Sequence, residues 1–319
     1  MKQIKYPPRG SKEFNAIIGK YKYLFVADLP NMECRWAAWK ANNGAASITE
    51  TVEDLLVADT DVIADVYDRF VRLGIPSINV NALGKKERSV AYKELDGIFC
   101  YSHKYDTDIA DFFNSNAETL HISSCYYCEL AYINTYKVIH SQGRKSIPKR
   151  QFDIDHFLPK SVCPITALSL FNFVPSCQIC NSRIKKSLIL GDNKDERTKF
   201  NPASSTYSFD TDVKIRLRMW RLPSTSFRKM NDYYIYFRCR NGYNKPVELF
   251  HLQDRYEFHK KEAVRLLKLK NNYPQSAIRR IAQLLGKATS EVREDLFHKK
   301  FLSDNNRCFS KLTRDILNT

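Results

Sequence analysis

Apolar positions recur at helical spacing in the first third of the chain. Val62, Val66, Phe70 and Leu73 lie three or four residues apart, on one face of a 3.6-residue helix. Gly74 and Pro76 end that segment, and Ser47-Ile48-Thr49-Glu50 reads as the capping box that opens it. Residues 1–118 are therefore expected to be a helical scaffold with no visible chemistry of their own. The pattern changes over residues 206–246. Basic and apolar side chains alternate in Lys214-Ile215-Arg216-Leu217-Arg218-Met219 and again in Tyr234-Ile235-Tyr236-Phe237-Arg238-Cys239-Arg240. A period of two puts the cations on one face of a strand and the apolar groups on the other. From about residue 247 helical spacing returns. Ser276 is the expected cap of a helix carrying Ile278, Ile281 and Leu285, and Gly286 its stop. The patterning predicts an α+β fold in three parts, with boundaries near 118/119 and 205/206.

Charge sharpens this picture. The 319 residues carry 51 Lys+Arg against 35 Asp+Glu, a net +16, and 43% are apolar. That is enough apolar content for two or three cores. The excess of cations favours a polyanionic partner, because each neutralised phosphate releases condensed counterions. The 18 Tyr and 19 Phe add possible stacking groups, although most aromatics pack in cores. No apolar run is long enough to span a membrane, and Met1–Gly10 lacks the apolar stretch of a secretory signal, so a cytoplasmic location is expected. With 10 glycines and neither a P-loop nor a dinucleotide fingerprint, a nucleotide-driven motor or a nicotinamide enzyme is disfavoured.

The cysteines point to a metal. There are nine, an odd number, which argues against a disulfide framework. Cys125-Tyr-Tyr-Cys128 and Cys177-Gln-Ile-Cys180 have knuckle spacing. Each pair can present two thiolates to one ion, and two pairs complete the tetrahedral set of a structural Zn²⁺. A long folded insert must lie between them. His121, just before the first pair, is an alternative ligand but also reads as an ordinary surface or core histidine. Cys34, Cys100, Cys163, Cys239 and Cys308 are expected to be small buried hydrophobes.

The insert contains Phe152-Asp153-Ile154-Asp155-His156-Phe157-Leu158-Pro159, which reads as a strand followed by a turn. Asn172 follows, and Asn181 comes directly after Cys180. The order C-x-x-C, D-H-x-x-P, Asn, C-x-x-C-N resembles the HNH endonuclease family with its ββα-metal fold, over about residues 119–190. The resemblance implies that Asp155 and Asn181 hold a catalytic Mg²⁺ or Mn²⁺ and that His156 is the general base. It further implies that Asn172 orients His156 through the loop between them. Asn181 stands where the family name has its last His. Arg183 and Lys185 are candidates to touch flanking phosphate. Lys214, Arg216 and Arg218, joined by Arg238 and Arg240 if they share a face, are candidate nucleic-acid contacts, with DNA the expected partner. The segment Leu249–His259 more weakly resembles HNH subunits of bacterial phage-defence loci of the Septu type, which implies a separate ATPase partner. The competing expectation is a zinc-containing, nucleic-acid-binding or partner-docking subunit without catalysis.

Overall fold

In the computed structural model, which describes residues 1–80, 85–139, 146–220, 230–297 and 307–318, local capping sets where the first helices begin. Helix α1 (Lys12–Tyr23) starts where the Ser11 hydroxyl accepts from the Phe14 N–H at 3.1 Å. After α2 (Leu29–Asn42), α3 (Val52–Leu56) opens on a reciprocal box between Thr51 and Asp54. Helix α4 (Thr60–Arg72) then follows Asp59. The capping box expected at Ser47–Glu50 therefore lies one step too early. Glu50 is engaged elsewhere: its carboxylate pairs with Arg69, and its carbonyl accepts from the Trp36 indole N–H at 2.9 Å. The helical face expected of α4 forms in part: Val66 and Phe70 are buried together with Ile63, whereas Val62 and Leu73 are half-buried.

The chain divides into two compact units that are not consecutive segments. The larger comprises Gln3–Ile122 and Ile133–Tyr207, so the N-terminal helices fold together with the stretch that carries Asp155 and His156. Among the described residues it adds α5 (Val90–Ile98), α6 (Asp106–Ser115) and α7 (Lys194–Phe200), and three short antiparallel strand pairs. These are β1 (Ile78–Val80) with β2 (Lys86–Arg88), β3 (Thr135–Ile139) with β4 (Ser146–Arg150), and β5 (Asp153–His156) with β6 (Phe173–Ser176). Helices α4 and α7 are joined by the ion pairs Lys194–Asp65 at 3.2 Å and Arg197–Asp68. The stacked pair Trp36–Trp39 packs against Phe99 and Phe70 in the helical core.

The helices also grip the loop between β5 and β6. The Tyr21 hydroxyl donates to the Leu168 carbonyl at 2.6 Å, and the Ser169 hydroxyl donates to the Leu55 carbonyl at 2.6 Å. Tyr92 reaches the Val162 carbonyl at 3.2 Å, and Asn201 donates to the Phe171 carbonyl at 3.0 Å. A loop this poor in secondary structure must pair its buried backbone somewhere, and the scaffold supplies the partners.

The smaller unit comprises Met1–Lys2, Ser123–Tyr132 and Ser208–Thr319. After α8 (Phe209–Asp212) its centre is the hairpin β7 (Val213–Met219) and β8 (Tyr233–Cys239), the two strands expected from alternation. Residues 221–229 lie outside the described residues. Among the described residues, helices α9 (Asn244–Leu249), α10 (Leu252–Glu257), α11 (Lys260–Asn272), α12 (Gln275–Leu285) and α13 (Thr289–Phe297) follow. The last helix, α14 (Ser310–Leu317), packs on β7 and α11, and Asp315 accepts from the Ile215 N–H at 2.8 Å. Helix α12 ends at Gly286 with φ +60°, as expected, but it opens after Pro274, with Ser276 inside the first turn rather than capping it. No described helix is long and apolar enough to cross a membrane.

Candidate active site

The turn bearing the first cysteine pair closes through Glu129 N–H to the Cys125 carbonyl at 2.9 Å, and the Leu130 N–H points at the Cys128 sulfur at 3.3 Å. Cys177 follows the end of β6, and Cys180 lies in the first turn of the helical segment Ile179–Lys185, joined by Asn181 N–H to the Cys177 carbonyl at 3.0 Å. All four cysteines are buried, and their sulfurs lie within 4.8 Å of one another. Four soft donors at that spacing fit a metal ion such as zinc, whose ~2.3 Å bonds bring sulfurs to within about 4 Å of each other. His121 is exposed and outside this cluster. Of the other five cysteines only Cys163 is buried. Cys100, Cys239 and Cys308 are half-buried and Cys34 is exposed, so four of these five are not the buried hydrophobes expected.

The second cluster lies in the larger unit. Strand β5 pairs Asp155 with Val174 and His156 with Phe173. Asp155 and His156 are both buried at the end of the strand, where its alternation gives way to the loop, and both line one cavity of about 320 Å³. Asn181, Tyr101, Lys160 and Lys186 border the same cavity. Nε2 of His156 lies 2.9 Å from the Ala167 carbonyl, which can only accept. The proton is thereby assigned to Nε2, and Nδ1 keeps the lone pair. The Tyr101 ring meets the imidazole edge-on at 4.5 Å, with Phe173 at 5.0 Å. Burial in this apolar collar pushes the His156 pKa down to about 3, against the opposing pull of the Ala167 carbonyl, so the ring is neutral near pH 7.

Asn172 is fully buried and makes no hydrogen bond to the imidazole. Its Oδ1 accepts from the Leu158 N–H at 2.8 Å, while Nδ2 donates to the carbonyls of Leu158 and Thr166, both at 3.0 Å. It braces both arms of the loop, and Thr166 immediately precedes the Ala167 carbonyl that holds His156. Asn172 is thus a positioning residue.

Compared with known proteins, the chain matches no family model, no curated protein and no solved structure.

The geometry also changes the expected roles. Lys185 does not reach solvent. It is 0% exposed, and its Nζ lies 3.0 Å and 3.3 Å from the two carboxylate oxygens of Asp155 and 2.7 Å from the His156 carbonyl. The expectation that Lys185 contacts a flanking phosphate is therefore corrected. A widened turn, closed by Lys186 N–H to the Asn181 carbonyl at 2.9 Å with Lys186 at φ +49°, turns Lys185 inward. Arg183, two residues earlier, is exposed. The Asn181 side chain donates to Asp153 at 3.2 Å. The oxygen donors of Asp155 and Asn181 fit a hard divalent cation in type.

Among the candidate nucleic-acid contacts, the β7–β8 register puts Lys214 opposite Arg238, Arg216 opposite Tyr236 and Arg218 opposite Tyr234, all on one face. Lys214 is committed to its own unit, with Nζ 2.9 Å from the Asp210 carbonyl and 3.9 Å from Asp315. Arg240 lies beyond the strand, its N–H bonded to the Asp212 carbonyl. The segment Leu249–His259 forms the end of α9 and all of α10, and Tyr256 donates to the Cys128 carbonyl at 2.8 Å. It therefore braces the first cysteine turn, a role that was not apparent from sequence.

Proposed function

We propose that this protein is an HNH-type endonuclease of the ββα-metal fold. It would hydrolyse phosphodiester bonds in nucleic acid, DNA first, with Zn²⁺ in the four-cysteine cluster. The observation that carries the reading is a neutral His156, fixed by the Ala167 carbonyl, in one cavity with the oxygen donors of Asp155 and Asn181. Nδ1 of His156 takes a proton from the attacking water. As the imidazole becomes imidazolium, the Ala167 carbonyl accepting from Nε2 stabilises the new charge and keeps the ring in place. Asn172 and the scaffold helices hold the loop that carries this carbonyl. Lys185 anchors Asp155 and the His156 backbone together, and Arg183 is available to flanking phosphate. Asp155 and Asn181 would hold Mg²⁺ or Mn²⁺, which would supply charge stabilisation to the phosphodiester.

One observation favours a second reading. Lys185 neutralises Asp155 in a buried ion pair, an arrangement that also suits a zinc protein which binds nucleic acid or a partner without cutting. A role as the nuclease of a bacterial antiviral pair with a separate ATPase rests only on the resemblance of residues Leu249–His259 and belongs to the same proposal. The test is cleavage of circular double- and single-stranded DNA with Mg²⁺ or Mn²⁺. Wild type is expected to cut, and His156→Ala to lose about 10²–10⁴-fold while keeping its zinc. Cleavage by His156→Ala at the wild-type rate would remove the base assignment. A wild type that never cuts but binds DNA leaves the second reading.

A further inference from the structure

The hairpin β7–β8 buries one face, through Val213, Ile215, Tyr233, Ile235 and Phe237, and leaves the other open. On the open face the arginines are interleaved with aromatic rings. The Arg218 guanidinium lies 4.3 Å above the Tyr236 ring. Just beyond the strand, Trp220 stacks on Tyr234 with centroids 4.2 Å apart and planes inclined by 26°, yet Trp220 is 70% exposed. Its backbone is not loose, since its N–H bonds the Asp232 carbonyl at 3.0 Å. Among the described residues no carboxylate pairs with Arg216, Arg218 or Arg238, although the same unit ties Lys214, Lys311 and Arg314 to Asp210 or Asp315. Three guanidinium groups without carboxylate partners beside an exposed, pre-stacked indole present cations and open ring faces together, the pairing that suits an anionic ligand with planar groups.

We propose that this face is a platform for single-stranded nucleic acid, in which bases stack on Trp220 and Tyr234 while Arg216, Arg218 and Arg238 take the phosphates. A duplex keeps its base faces stacked on each other, so an indole face can recognise only unpaired bases. Alternate residues of a strand stand about 7 Å apart, comparable to the step between phosphates of an extended single strand. An acidic peptide would satisfy the arginines but leave the indole face without a matching planar partner. The platform goes beyond the cleavage reading and does not depend on it.

The experiment is a titration of the zinc-loaded full chain, without Mg²⁺, so that binding is read apart from cleavage. Trp36 and Trp39 are buried at 1% and 2% exposure, so quenching of tryptophan emission reports Trp220. The probes are a mixed-sequence 12-nucleotide single strand in deoxy and ribo forms, the matching duplex, and polyglutamate. The expected result is quenching by either single strand, with affinity for it above that for the duplex and polyglutamate. Trp220→Ala is expected to weaken single-strand binding by roughly tenfold or more with duplex binding unchanged, by anisotropy. Trp220→Phe should restore most of the loss, and Arg216→Glu with Arg218→Glu should weaken both single strand and duplex. Single-strand binding by Trp220→Ala equal to wild type, or equal affinity for strand and polyglutamate, overturns the proposal. Neither result bears on whether His156 supports cleavage.

Discussion

At the scale of single residues, the pair Lys185–Asp155 is the decisive addition. From sequence alone, changing Asp155 is expected to cost only activity. With a fully buried ammonium 3.0 Å away, the change also strands a charge in the interior. Removing one partner of a buried pair typically costs about 3–5 kcal/mol. Asp155→Ala and Lys185→Met are each expected to lower unfolding stability on that scale in urea titrations of zinc-loaded protein. The double change should cost clearly less than the sum, and strict additivity would show that the pair is not coupled. His156 gives a pH dependence with a definite sign. Its folded pKa, about 3, is below the ordinary value of 6.5, so the unfolded chain binds the proton first as pH falls. The contribution is therefore present above pH 6.5 and is lost as pH falls towards 3, with a slope of at most about 1.4 kcal/mol per unit. His156→Gln is expected to flatten the fall in melting temperature between pH 6 and 4. An unchanged slope would place the acid sensitivity in other groups.

At the scale of elements, the N-terminal helices act as the mould of the β5–β6 loop rather than as a separate scaffold. Tyr21→Phe removes only the hydroxyl that holds the Leu168 carbonyl. It is expected to cost about 1 kcal/mol in stability and to lower the turnover of the proposed cleavage more than its substrate affinity, because the neighbouring Ala167 carbonyl loses its fixed place. Equal kinetics for Tyr21→Phe and wild type would separate the helices from the site. Helix starts can be tested in the same way. Thr51→Ala should cost about 1 kcal/mol as the loss of a real cap, and Ser47→Ala almost nothing. The misplaced box has a simple cause: Ser/Thr-x-x-Glu/Asp patterns occur at both 47–50 and 51–54, and only tertiary contacts of Glu50 with Arg69 and Trp36 decide between them.

At the scale of the whole molecule, the four buried thiols organise the expected response to metal. One zinc per chain should survive gel filtration and be released by a thiol-reactive mercurial, with four thiols titrating alongside it. Cys177→Ser is expected to lose that zinc and much of the thermal stability, because ligand binding free energy is folding free energy for such a site. A Cys177→Ser protein with wild-type zinc content and melting temperature would exclude the cluster as the metal site. Magnesium should behave oppositely. Its omission is expected to stop cleavage without moving the melting temperature.

The sequence by itself determined the features that depend on short spacing. The two C-x-x-C turns are local, so both pairs could be named before any fold was known. The alternation of β7 and β8, the amphipathic face of α4 and the Gly286 stop are also local, and all three appear in the structure. Asp155, His156, Asn172 and Asn181 were marked by their order along the chain. Tertiary structure alone decided what surrounds them. Nothing within a few residues of Lys185 says that a widened turn points it at Asp155, and nothing near Tyr21 or Ser169 says that they hold the loop beside His156. Such pairings join groups far apart in sequence, and burial sets their worth. An exposed lysine beside a carboxylate contributes little, whereas the same pair removed from water changes the charge and stability of the site.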